Sequence, residues 1–316
     1  MAASSDYTKF NNVTQIGQSL LMSQLESNLK TYLDWAFLAV GGFSNAETPA
    51  SGAYGGTFDR LRPVQDLNYT NGQVWEGPRK DWVWETGVEY TSQPTNISGV
   101  YIGGTLYGTG DATYGHHYNY PLGRVVFDSA ISTNSTVQLE HSYRNVQVYI
   151  ADQAPWWDEL QYDSFRVDDS TLLNAGSGNW QILGNHRVQM PAVVVEAVPR
   201  RTFKPYEMGN VGQYVYQDVL FHILAESRWF RNNLVDTLSL QPDRTLWMFD
   251  VNTATGLYPL DFRGMRVTNP TMYPDLLTIH PYKKVRYYNT VVSEMATRSS
   301  RLYEGTVRVT FEIVVT

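Results

Sequence analysis

Carboxylates, histidines and tryptophans are the residues here whose chemistry could define a function. Asp81, Glu85, Asp158, Glu159, Asp163, Asp168 and Asp169 supply enough carboxylates for the acid–base pair that hydrolyses glycosidic bonds when two stand at the right separation. Spacing along a chain does not set that separation, and acidic residues in polar stretches are ordinarily solvated. Trp75, Trp82 and Trp84 flank Asp81 and Glu85. They form a candidate platform for stacking sugars, or else ordinary aromatic core or a subunit contact. His116 and His117 are adjacent; on a strand they point to opposite faces and cannot chelate one metal together. His222 lies between Leu220 and Leu224 on one strand face, the setting of a hydrogen-bonded core or interface histidine. There is no Gly-x-Ser-x-Gly elbow, no phosphate-binding loop and no His-Glu-x-x-His. Gly108-Thr109-Gly110 lacks the third glycine of a dinucleotide site and is expected to be a turn. The sequence therefore predicts no catalytic residues, no cofactor and no metal.

Composition narrows the class. With 316 residues and 42% hydrophobic content, the chain can bury a sizeable core in two domains or three. Only 17% of residues are charged, while aromatics reach 14% with 22 Tyr and 9 Trp. A surface so poor in charge suits protein–protein contacts, where Tyr and Trp are enriched; the same aromatics also suit a strand-rich fold. The net charge is −7, and no basic run exceeds the pairs Arg200-Arg201 and Lys283-Lys284. That argues against nucleic-acid binding through a broad basic patch. Cysteine is absent, which removes disulfides and thiolate metal sites and agrees with synthesis in a cytoplasm. The stretch Met1 to Phe10 is polar, without the apolar core of a secretion signal. No apolar run is long enough to span a membrane.

The elements that must position these residues are mostly strands. Val13, Ile16, Leu20, Leu21, Leu25, Leu29, Leu33 and Phe37 predict a helix from about Thr14 to Ala39, stopped by Gly41-Gly42. Its stripe faces either the core or a neighbouring copy. Phe43 to Phe58 reads as a Gly- and Ser-rich linker, and Lys80 to Tyr90 as a strand. From Ser98 to Ile150 short strands follow one another, with Gly103-Gly104 a hairpin turn, as in a sandwich or small barrel. Ala192 to Val198 reads as a buried strand ended by Pro199. Tyr214 to Asp250 then reads strand, short helix, strand. Ser227 is the N-cap, and Phe230, Leu234, Val235 and Leu238 are the apolar stripe. Val285 to Val292 and Val307 to Val315 alternate as closing strands. The expected fold class is α+β: an N-terminal helix, a β-sandwich or small-barrel module, and a C-terminal mixed sheet with a packed helix. The expected divisions are a helix and linker at 1–60, the all-β module at 61–150 and an α+β assembly domain at 151–316. Arg228 and Arg231 fall in the first turn of the predicted C-terminal helix, where the helix dipole disfavours cations. They call for acidic partners. With His222 and the aromatic pair Trp156-Trp157, they are the candidate subunit-interface residues.

Two blocks resemble known sequences. Tyr120-Pro121-x-Gly123-Arg124-Val125-x-Phe127-Asp128-Ser129-Ala130 resembles a β module of tailed-bacteriophage structural proteins. Asp218-Val219-Leu220-Phe221-His222, Ala225-Glu226-Ser227, Arg231-Asn232-x-Leu234-x-Asp236 and Gln241-x-Asp243-Arg244-Thr245 resemble the C-terminal part of neck and tail virion proteins. The resemblance covers Ser98 to Thr316. It implies a non-enzymatic virion protein, made in the host cytoplasm, that joins or closes the head–tail passage as a connector or tail terminator. It further implies rings of six or twelve copies, contacts with other neck and tail proteins, DNA passing through the ring without sequence-specific binding, and no membrane partner. An acidic channel lining would let DNA slide. A baseplate or tail-tip station is the nearest alternative. A carbohydrate-binding or carbohydrate-cleaving tail protein, built on Trp75, Trp82 and Trp84, is the alternative of another class.

Overall fold

The computed structural model describes residues 13, 15–48, 59–154, 156–157, 160, 173–175, 180–183, 186–205, 212–254, 259–299 and 301–315. Asp158, Glu159, Asp163, Asp168, Asp169 and the N-terminal Met1 to Phe10 stretch lie outside them, as does the linker beyond Thr48. The fold is mixed α+β and mostly strands.

Helix α1 spans Leu21–Ala39. It starts later than the periodicity suggests because Gly17 takes φ +88 and Ser19 N is held by Asn252 Oδ1 at 2.7 Å, so Ile16 stays outside the stripe, 96% exposed. Leu25, Leu29, Leu33 and Phe37 pack onto the C-terminal sheet, so the stripe faces the chain's own core. Two buried amides fix this docking. Asn28 donates Nδ2 to Phe249 O (2.9 Å) and accepts Phe249 N at Oδ1 (2.7 Å), closing both backbone groups of one residue. Gln24 does likewise with Asp250 Oδ1 and Val251 N. The expected glycine stop is present: Gly42 N donates to Phe37 O at 2.8 Å, with Gly41 at φ +81.

The β-rich part that follows has three small sheets. Strand β1 (Phe43–Ala46), within the expected linker, pairs with β9 (His141–Arg144). A four-stranded sheet runs β2 (Arg62–Pro63), β3 (Val74–Glu76), β7 (Arg124–Phe127), β6 (His116–Asn119), and a three-stranded one β5 (Thr105–Tyr107), β4 (Val100–Ile102), β8 (Val137–Gln138). The β4–β5 turn places Gly103 and Gly104 at φ +57 and +88, which a two-residue hairpin demands. Lys80 to Tyr90 is not a strand. Asp81 at φ +54 and Gly87 at φ +83 break its extension, leaving only a bridge between Trp82 and Tyr143.

The C-terminal sheet has six strands, in the order β10 (Gln147–Ile150), β14 (Ala192–Pro205), β15 (Gln213–Ala225), β18 (Leu302–Val315), β17 (Pro281–Ser299), β16 (Thr245–Phe249). Only β10–β14 is parallel. Strand β14 runs on through Pro199 because its register shifts between Ala197 and Arg201; a proline is tolerated where the ladder is already broken. A separate sheet of β11 (Leu173–Ala175), β12 (Trp180–Leu183) and β13 (His186–Gln189) is inserted between β10 and β14. Helix α2 (Arg228–Ser239) is capped by Ser227, whose Oγ accepts from Phe230 N at 3.2 Å. Leu234, Val235 and Leu238 are buried as expected, but Phe230 is 41% exposed and Arg231 takes the buried place at 7%. Gly305 of β18 permits the close approach: a Cβ there would meet Val235 Cγ2 at 2.8 Å. Short helices α3 (Val251–Ala254) and α4 (Leu276–Ile279) complete the fold. In β17 the expected alternation slips. Val285 and Tyr287 face the core, but an extra residue, Tyr288, sends Asn289 and Val291 to the opposite face, opposite Thr310 and Arg308.

Candidate functional site

The largest unfilled bonding capacity lies along the borders of the six-stranded sheet. Strand β10 covers the outer edge of β14 only at Ala192 to Val195. Strand β16 covers β17 only from Pro281 to Arg286, and backbone bonds from Asp243 and to Arg244 extend this to Tyr287. Among the described residues, no strand pairs the outer edge of β17 from Tyr288 to Ser299, or that of β14 from Arg201 to Pro205. The register puts these two openings at opposite corners. Ala192, Leu224 and Tyr303 stand near one end of the sheet; Pro205, Gln213 and Val315 stand at the other. Three antiparallel steps separate the two strands, so β14 and β17 run in opposite directions.

Both borders carry exposed apolar side chains among their polar ones. Tyr288 and Val291 are each 48% exposed, Val292 and Met295 44%, and Phe203 on β14 58%. Helix α2, which lines a groove with Val292, Met295 and Thr297, also presents Trp229 and Phe230 to solvent. Open strand edges with apolar side chains template pairing with another chain unless something blunts them.

The residues singled out from sequence as contacts are mostly spent inside the chain. His222 Nε2 meets Glu196 Oε2 at 2.9 Å, and its ring lies 4.5 Å from that of Trp157. The same hydrogen bond holds the Glu196 carboxyl below its usual range, against partial burial. Trp156 and Trp157 belong to a core cluster with Leu224 and Leu302. Arg231 Nη1 donates to Ala296 O at 3.2 Å, and its Nη2 to Asn232 Oδ1 at 2.8 Å. Its partners are thus a carbonyl and an amide rather than the expected carboxylate. Of that set only Arg228 is exposed. His116 is buried on β6, bonded to Tyr114 O and Tyr118 Oη, and its neighbour His117 faces elsewhere. The tryptophan platform is also corrected. Trp75 and Trp82 are 1% and 0% exposed in the β-module core, where neither offers a face to a sugar. Trp84, packed against the same core, is partly buried and alone of the three keeps some exposure.

Asp81 and Glu85 turn out to serve one buried cation. Arg144, 3% exposed, pairs with Glu85 and lies 3.3 Å from Asp81 Oδ2. Asp34 of α1, itself bonded to Lys30 at 2.6 Å, stands near enough to perturb both. Burial pushes the Asp81 carboxyl up to about 6, outweighing the attraction of Arg144. Sequence reasoning missed Arg144 and Asp34, because nothing in their local patterns brings α1 and β9 together. Among the described residues, no group of His, Asp and Glu could hold a metal, and no helix is long and apolar enough to cross a membrane. No protein-family model matches the chain, and no curated protein matches it.

Proposed function

We propose that this chain is a non-enzymatic structural component of a tailed-phage virion, joining or closing the head–tail passage through a ring of its own copies. The observation that carries the reading is the pair of open sheet edges at opposite corners. The borders of β17 and β14 run in opposite directions, so β17 of one copy meets β14 of the next in antiparallel sense. Such a contact is heterologous: each copy uses β17 on one side and β14 on the other, and repetition closes a ring when the rotation allows. The low charge content and the exposed Trp229, Phe230, Met295 and Val291 support the same reading. So does the sequence resemblance to neck and tail proteins, which favours six or twelve copies and neighbours among other virion components.

The test is complementation. Val291→Lys places a charge on the β17 border, and Phe203→Lys one on the β14 border. Light scattering is expected to show rings for the unaltered chain and monomers for each variant. An equal mixture of the two should give dimers, because one intact border of each kind survives. Assembly of either variant alone, or a mixture that stays monomeric, overturns the proposal. Immunogold labelling of intact and disrupted particles then gives the station. Label at the head–tail junction is expected, and label at the distal tail overturns that placement.

A further inference from the structure

A cleft of about 940 Å³ opens between α1, the β-module and the loop from Pro259 to Val267. It is separate from the sheet borders, and the assembly proposal makes no use of it. Its volume lies within the range of small-ligand sites. Lys30, Lys80 and Arg144 line it together with Asp34, Asp81 and Asp261, Lys30 paired with Asp34 and Arg144 with Asp81, so the charges of its lining cancel.

Two features at the cleft serve no evident packing role among the described residues. The first is Phe262, which is 96% exposed at the mouth. Its exposure is not slackness, because the loop presenting it is tightly built. Asp261 Oδ1 accepts from the backbone N of Arg263 (2.8 Å) and Met265 (3.0 Å). Gly264 N donates to Asp261 O at 2.9 Å, and Gly264 O accepts from Tyr120 N at 3.0 Å. A Cβ on Gly264 would meet Asn119 Oδ1 at 2.7 Å, so the loop is seated directly on the β-module. The ring is held in solvent by a rigid mount. The second feature is Arg144 on the floor of the cleft: it is 3% exposed, and its buried Nη1 has no hydrogen-bond partner among the described residues. A buried donor left without a partner is costly. Trp84 stands in the wall beside it, 5.9 Å from the guanidinium.

The lining decides the ligand class. An anion would meet three carboxylates, and a cation three basic groups. An apolar peptide would cover the charged groups without satisfying them. A neutral polyhydroxylated ligand does neither: its hydroxyls donate to carboxylates and accept from a guanidinium, and its C–H faces lie on aromatic rings. We propose that this cleft binds a neutral oligosaccharide, with Phe262 and Trp84 stacking on sugar rings and Asp34, Asp81 and Arg144 bonding hydroxyls.

The full chain is to be probed on an array of neutral, sialylated and sulfated glycans. Maltohexaose, cellohexaose and the hexamer of N-acetylglucosamine are then titrated, with tryptophan fluorescence as the readout. At least one neutral glycan is expected to bind. Phe262→Ala should weaken it tenfold or more without changing the melting curve, since that side chain packs on little else. Trp84→Ala should abolish the fluorescence response. Binding of anionic glycans only, no glycan binding, or an unaltered affinity in Phe262→Ala overturns the proposal. Titrating Val291→Lys in parallel keeps this result apart from the assembly test, because that substitution lies on the other surface.

Discussion

At the scale of single residues, Asp81 concentrates the unusual chemistry. It takes a left-handed φ of +54, uncommon for a residue with a side chain, and its carboxyl is raised from 3.8 to about 6 by burial. The sign follows from linkage. Between those values the folded chain holds a proton that the unfolded chain has released, so stability through this group falls as pH rises from about 4 to about 6. Asp81→Asn removes that dependence while keeping the side chain's shape, and Glu85 continues to neutralise Arg144. Its unfolding free energy should match the unaltered chain near pH 4 and exceed it above pH 6, by on the order of 1–3 kcal/mol, with a correspondingly higher melting temperature. Melts of both proteins across that interval check this; a variant less stable at pH 7 would show that Arg144 needs both carboxylates. Sequence placed Asp81 and Glu85 among the notable residues but paired them with tryptophans, because neighbours in sequence were the only neighbours in view. Their true partner comes from β9, and residue lists do not carry that information.

At the scale of elements, local patterns were more informative. The strand–helix–strand unit from β15 to β16, its Ser227 cap and the glycine stop of α1 were all legible, since each rests on chemistry within a few residues. The exchange of Phe230 for Arg231 was not, because it depends on Gly305 of a strand far along the chain. Gly305 admits α2 closely enough that a Cβ would fall 2.8 Å from Val235 Cγ2 and 3.3 Å from Met295 Sδ. Gly305→Ala should therefore cost about 1–3 kcal/mol by overpacking, read as a lower urea midpoint at unchanged slope. An unchanged midpoint would mean that α2 shifts outward freely. The slip in β17 did leave a trace in the sequence. Its residues on the α2 face of the sheet pass from odd positions, Val285 and Tyr287, to the even position Val292 and back to Met295, a change of parity that a single alternating template hides.

At the scale of the whole molecule, the fold class was legible and the borders were not, since an unpaired edge is a property of the finished sheet. The large side chains exposed there are Phe203, Tyr288, Val291, Val292 and Met295, so association through them should strengthen in sulfate, which favours burial. It should change little between roughly 0.1 and 0.5 M sodium chloride, where surface ion pairs are screened. Light scattering in the two salts checks this, and dissociation by sodium chloride would point to charged contacts instead.

The irregularities of β17 bear on that behaviour. Pairing with β18 skips one residue at Tyr288, one at Ser293 and one at Arg298. The skips fall at equal five-residue intervals, and each adds twist to the strand. A border bent at regular steps cannot lie flush against long, straight copies of itself, so it resists the flat stacking of amyloid. It also imposes a fixed turn from one copy to the next. The circumference of any closed assembly built on this border would then be set by where three single residues have been inserted, much as the curvature of an arch is set by the taper of its stones.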